Sequence, residues 1–194
     1  MQIMPRLSPL PPHPDDVARA AAMIDRADKI IIMAGLGAAE SGAAAACRLL
    51  AERCNGLLAT TLPARGLFHD DPFCVGVAGG FSTELGRRCF ADTELVIAVG
   101  CSIAHHNADG GKLWPNAQVL HLDLNPMALN QGRVIADHHM RADARLGAEA
   151  LANAIQIRAS TWRSPALAHE LRSTPADSAA FSLAPGLHLS LIHI

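Results

Sequence analysis

The chain has 194 residues, of which half are hydrophobic and 18% charged, with a formal net charge of −2. This composition fits one globular domain of ordinary size plus flanking segments, and it argues against disorder. The near-neutral balance leaves no electrostatic footprint for nucleic acid or an anionic membrane. With 4% aromatics and no tyrosine, it also lacks a base-stacking platform.

Residues 1–14 carry five prolines, which fix φ and remove backbone donors, so this stretch reads as an extended linker. It has no continuous apolar core of the kind a signal peptide needs. A helix is expected over 15–27, where Asp15 and Asp16 suit the positive end of the helix dipole and Val17, Ala20, Ala21 and Ile24 form a stripe. The run KIIIMAG, ending at Gly35, is apolar throughout and predicts a strand buried on both faces, as in a parallel sheet. Ser41 reads as the N-cap of a helix that stops at Asn55 and Gly56.

The pattern then repeats. Strands are expected at 56–62, 73–80, 94–100 and 118–124, with a helix from Ser82 to Phe90 between the second and third. A short element near Met140 precedes a last helix over 143–155. From Arg158 onward Ser, Pro and Ala dominate, and 158–188 reads as a second linker. Strand and helix alternating through short connections predict an α/β fold: a doubly wound, mostly parallel, six-stranded, Rossmann-like sheet flanked by helices, with extended linkers at both ends.

Ligands of such sheets bind beyond the carboxyl ends of the strands. The loops expected there are small: Gly35, Leu36, Gly37 and Ala38; Gly79 and Gly80; Gly100, Cys101 and Ser102; Asp123, Leu124 and Asn125. Glycine lets backbone approach a ligand closely, and a following helix start offers N–H groups to a phosphate, which suits a nucleotide diphosphate. Glycines also end buried strands for steric reasons alone. The GxGxxG fingerprint is broken by Glu40, whose charge opposes a phosphate beside it.

Other chemistries find less support. The five cysteines, at 47, 54, 74, 89 and 101, form no CxxC pair and point to a reducing cytoplasm rather than to zinc or disulfides. His105 with His106, and His138 with His139, lack ligand spacing and read as loop polarity, so no metal site is expected. A GxSxG elbow is missing, because Ile103 and Ala104 follow Ser102. Arg65, Arg87, Arg88 and Lys112 read as solvated surface.

Taken in order, ADKIIIMAGLGA, LLATTLPARGLFHDDP, GVAGGFST, ADTELVIAVGCS and DGGKLWPNAQVLHLDLNP resemble the central domain of thiamine-diphosphate-dependent enzymes of the acetolactate synthase and benzoylformate decarboxylase type. The resemblance covers about 15–155, nearly all of the domain that composition bounds at 15–157. It implies a three-domain parent that works on 2-oxo acids, as decarboxylase or carboligase, and requires magnesium. The activating glutamate would lie in a preceding pyrimidine domain. The Gly-Asp-Gly…Asn motif for diphosphate and magnesium would lie in a following domain.

Neither motif is found here, so the chain alone should hold no thiamine diphosphate and has no expected catalytic residue. The resemblance implies as partners those two domains of the same polypeptide, in a homo-oligomeric parent. In some relatives the central domain holds FAD or ADP, and the matching positions are Gly35, Gly37, Gly79, Gly80, Gly100, Ser102 and Asp123. The stretch from Cys101 to His106 departs from the arginine- and aspartate-rich sequence of flavin-containing members. The alternative function is a stand-alone FAD- or ADP-binding module. The last six residues, 189–194, resemble a translated sequencing adapter, a non-native tail.

Overall fold

A computed structural model describes residues 8–157 and 161–173. The proposed adapter tail, and the linker calls at 1–7, 158–160 and 174–188, fall outside them. Residues 8–13 have no regular structure, and Pro14 already opens the first helix.

The central sheet has six strands: β1 (Ile30–Ala34), β2 (Leu57–Thr60), β3 (Cys74–Val77), β4 (Leu95–Val99), β5 (Gln118–Asp123) and β8 (His138–Arg141). Their order is β3-β2-β1-β4-β5-β8, and every pairing is parallel. This is the expected doubly wound sheet. Strands β1, β2 and β4 are buried along their whole length, which explains why their sequences are apolar without alternation. A separate antiparallel ribbon, β6 (Leu129–Asn130) with β7 (Arg133–Val134), leaves the chain between β5 and β8.

Local chemistry fixes the helix ends. In α1 (Pro14–Ile24) proline takes the first turn, and the two acids follow it. Helix α3 (Ala44–Cys54) stops at Asn55, whose φ of 57° is the left-handed cap that the Asn-Gly pair predicts. The Thr83 hydroxyl accepts the Gly86 N–H to start α4 (Glu84–Asp92), and the Asp143 carboxylate accepts two N–H groups to start α5 (Ala144–Ala154).

Two expectations are corrected. Ser41 is not an N-cap. A short helix, α2 (Leu36–Glu40), ends at Ser41, Gly42 turns the chain with φ 71°, and α3 starts after Ala43. The stretch expected as linker after 158 contains α6 (Pro165–Ser173). Ser164 accepts the Leu167 N–H at its start, Ala168 is buried, and Trp162, Leu167 and Leu171 pack on the core.

The sheet separates two cores. One holds Ile30, Ile32, Leu58, Ile97 and Leu122 with α1, α3 and α5. The other holds Ile31, Met33, Val96 and Ala98 with α4, α6 and the segment through Ile103, Leu113 and Trp114.

Candidate functional site

Strand order reverses between β1 and β4: the chain winds outward to β3 on one side, then to β8 on the other. The crevice outside the carboxyl ends of these two strands is where open α/β sheets place ligands. All seven residues expected to line a nucleotide lie at this edge: Gly35 and Gly37 after β1, Gly79 and Gly80 after β3, Gly100 and Ser102 after β4, and Asp123 at the end of β5.

Three of the seven touch each other. The Gly35 N–H donates to Val99 O at 2.9 Å, the Gly37 N–H to Gly100 O at 2.9 Å, and the Gly100 N–H to Leu122 O at 2.8 Å. The Ala38 and Ala39 N–H groups both donate to Gly35 O. A Cβ on Gly100 would lie 2.7 Å from Gly37 C, and one on Gly35 would lie 2.7 Å from Cys101 Cα. The missing side chains thus let the β1 and β4 loops close on each other.

Gly79, with φ 83°, plays the same part on the β3 side. A side chain there would collide with His106 O, and Arg87 braces the contact by donating to Gly79 O and pairing with Asp109 at 3.0 Å. Gly80, Ser102 and part of Asp123 face outward. The Ser102 carbonyl accepts from Asn130 at 2.7 Å, and the Asp123 carboxylate accepts the Asn125 N–H at 2.9 Å. Of the other basic residues considered, Arg88 pairs with Glu170, while Arg65 is exposed.

His121 lies at this edge too, outside the set of residues expected there. Its face of β5 is shared with buried Val119, a signal visible in the alternation of VLHLD. The imidazole is 1% exposed, its Nε2–H donates to Cys101 O at 2.9 Å, and Asp123 Oδ2 lies 3.9 Å away. It stands edge-on to His139 of β8, 5.5 Å between ring centres, and His138 and His139 are strand residues rather than loop polarity. Among the described residues, the Nδ1 atoms of His121 and His139 have no hydrogen-bond partner.

Burial pushes both imidazoles below the ordinary histidine pKa of 6.5. Asp123 and the Cys101 carbonyl oppose this at His121, and neighbouring His138 adds to it at His139. The unfolded chain therefore binds protons near pH 6.5 that the folded chain refuses, so stability is complete above that pH and falls as pH drops below it. The expected slope is at most about 1.4 kcal/mol per pH unit for each histidine. Urea midpoints should be lower at pH 5.5 than at pH 7.5, and His121→Gln should flatten the difference. A midpoint unchanged between the two pH values would refute this account.

Among the described residues, no group of three or more His, Cys, Asp or Glu side chains converges as metal ligands would. No helix there is long and apolar enough to cross a membrane.

The model of the thiamine pyrophosphate enzyme central domain matches residues 17–151. The chain belongs to this family. A probable acetolactate synthase large subunit of Methanocaldococcus jannaschii is 30% identical over 135 residues, covering 69% of this chain and 23% of that protein. The acetolactate synthase large subunit of Parasynechococcus marenigrum is 32% identical over 129 residues, 64% of this chain and 21% of that protein. This thiamine pyrophosphate enzyme central domain thus spans under a quarter of those relatives. Two solved structures share its fold. A putative thiamin diphosphate-dependent enzyme from Mycobacterium smegmatis aligns with TM-score 0.63 at 18% identity, over 84% of this chain and 31% of that one. The benzoylformate decarboxylase of Polynucleobacter necessarius aligns with TM-score 0.61 at 16% identity, over 81% and 31%.

The residues of this central domain do not fit a diphosphate seated between the β1 and β4 loops. The N–H groups of Gly35, Gly37, Ala38 and Ala39 already serve protein carbonyls, and a Cβ on Gly35, Gly37 or Gly100 meets protein rather than open space. The short helix α2 carries Glu40 at its end.

Proposed function

We propose that this domain is the scaffold between the two catalytic domains of a thiamine-diphosphate-dependent enzyme that cleaves or joins carbon–carbon bonds beside the carbonyl of 2-oxo acids. The family match over residues 17–151 carries this reading, and the relatives' printed names supply the acetolactate synthase type. When bound, thiamine diphosphate supplies the electron sink for that chemistry, and the protein supplies position and electrostatics. The pyrimidine and diphosphate domains would hold that cofactor and its magnesium. This chain's own residues hold the sheet rigid through two cores and clasp its carboxyl edge shut.

A scaffold of this kind needs no nucleotide of its own, and the closed glycine contacts favour it over a stand-alone FAD- or ADP-binding module. Purified chain is expected to be colourless. FAD, ADP or thiamine diphosphate with magnesium, each at 1 mM, should leave its melting temperature unchanged. By mass action, a ligand present at 100 times its Kd adds about 2.7 kcal/mol, a shift of several degrees. Such a shift with FAD or ADP would restore the nucleotide module, and one with thiamine diphosphate would put a cofactor site on this chain.

A further inference from the structure

The carboxyl edge carries an apolar surface that the scaffold role alone does not require. Among the described residues, nine large apolar side chains are more than a third exposed. Six of them, Leu36, Phe81, Leu124, Met127, Leu129 and Val134, follow the ends of β1, β3 and β5 or sit on the β6–β7 ribbon. Strands of one parallel sheet all end on the same side, so these residues gather on one side of the molecule rather than scatter over it. Single exposed apolar residues are ordinary, but a gathered set marks an interaction site.

The ribbon is the informative part. Its turn is the two-residue Gln131–Gly132 pair, with φ of 51° and 76°, the primed geometry that joins short antiparallel strands. Asn130 and Arg133 are cross-strand partners, and both reach inward: Asn130 donates to Ser102 O at 2.7 Å and Arg133 to Ile103 O at 3.1 Å. Gln131 adds a third clasp by accepting the His105 N–H at 2.7 Å. The other cross-strand pair, Leu129 and Val134, is 60% and 70% exposed. A surface ribbon facing only water would turn its polar side chains outward. This one uses them to anchor itself to the loop after β4 and presents its apolar pair to the outside.

We infer that the outer face of the β6–β7 ribbon, with Leu124 and Met127 beside it, is the surface on which a flanking domain of the same full-length polypeptide docks. The inference rests on the central-domain reading. The family's description places this unit between other domains, and about three quarters or more of each relative's length lies outside it. The docking partner is accordingly a folded apolar face carried on the same chain, at high effective concentration, rather than a free ligand.

Cysteine labelling tests this. Burial pushes the native thiols of Cys47 and Cys101 up to about 12 and that of Cys89 to about 11, so they react slowly at pH 7.5. Leu129→Cys, and as control Leu49→Cys on the opposite side of the sheet, would be labelled with a maleimide and read peptide by peptide by mass spectrometry. Both would be made in the 194-residue chain and in the full-length polypeptide that carries this domain. The expected result is rapid labelling of both positions in the short chain, and at least tenfold slower labelling at 129 alone in the full-length protein. Equal rates at 129 in the two proteins would overturn the inference. So would protection in the short chain that grows with its concentration, because that assigns the surface to a second copy. Turnover of a 2-oxo acid by the same full-length protein reads the functional proposal separately, so the two can fail independently.

Discussion

Gly100→Ala is expected to cost about 2–5 kcal/mol and to lower the melting temperature by roughly 4–20 °C. Two effects add. The residue sits at φ 57°, where an L side chain costs on the order of 1–2 kcal/mol. Its Cβ would also press into the backbone of Gly37 and Ala38, and overpacking of this kind costs about 1–3 kcal/mol. The collision is with main chain on both sides, so no side chain can swing away, and relief requires the β1 and β4 loops to part. Gly66→Ala is the internal control. Its φ of 86° carries the same backbone penalty, but nothing lies within 4 Å of the new Cβ, so the loss should stay near 1–2 kcal/mol. Thermal unfolding of both variants checks the contrast. Equal losses would mean that the clasp between the loops contributes nothing.

The second large effect is expected at α6. Arg163 lies over the Phe73 ring at 4.3 Å and pairs with Asp71 at 3.6 Å, both side chains about a tenth exposed, while Arg88 pairs with Glu170. Ala168 is buried between these attachments. Ala168→Asp would force a carboxylate into that contact or peel the helix away. Releasing the half-buried Leu167 and Leu171 from the core would forfeit only part of the about 1.5–3 kcal/mol that a fully buried side chain contributes, less the entropy regained by the freed segment, for a net loss of about 1–3 kcal/mol. Denaturant midpoints and limited proteolysis within 161–173 measure it. A variant with wild-type midpoint and wild-type protease resistance would show that α6 is no part of the fold and that residues 161–173 behave as linker.

Sequence patterning was informative where physics is local. Continuous apolar runs marked β1 and β4 because strands buried on both faces cannot alternate, and Asn55 with Gly56 marked the end of α3 through its left-handed cap. The doubly wound fold class followed from alternation, whereas the strand order β3-β2-β1-β4-β5-β8 is visible only in the folded sheet. Three features escaped. Helix α6 was hidden by its Ser, Pro and Ala content, although Pro165 in the first turn and Leu167, Ala168 and Leu171 on one stripe carry a helical signal. The ribbon was hidden because each strand has only two residues, too few for periodicity; its sole local cue is Gly132 after Gln131.

The third feature is the candidate site itself. Sequence placed Gly35, Gly37, Gly79, Gly80, Gly100, Ser102 and Asp123 at the carboxyl edge, and they lie there. It had no means of telling a glycine that admits a ligand from one that admits another loop. That distinction depends on residues about sixty positions apart, such as Gly37 and Gly100, and only the folded geometry supplies it. His121 was missed for a similar reason: its burial depends on His139 and the loop after β4 closing around it.

The most direct test of the central claim is 2-oxo acid consumption, followed in the presence of thiamine diphosphate and magnesium, by two proteins: the 194-residue chain and the full-length polypeptide that carries it. The account predicts turnover by the full-length protein that is lost when thiamine diphosphate is omitted, and none by the 194-residue chain under any condition. Turnover by the chain alone, or a full-length protein that is inert or indifferent to thiamine diphosphate, would contradict it.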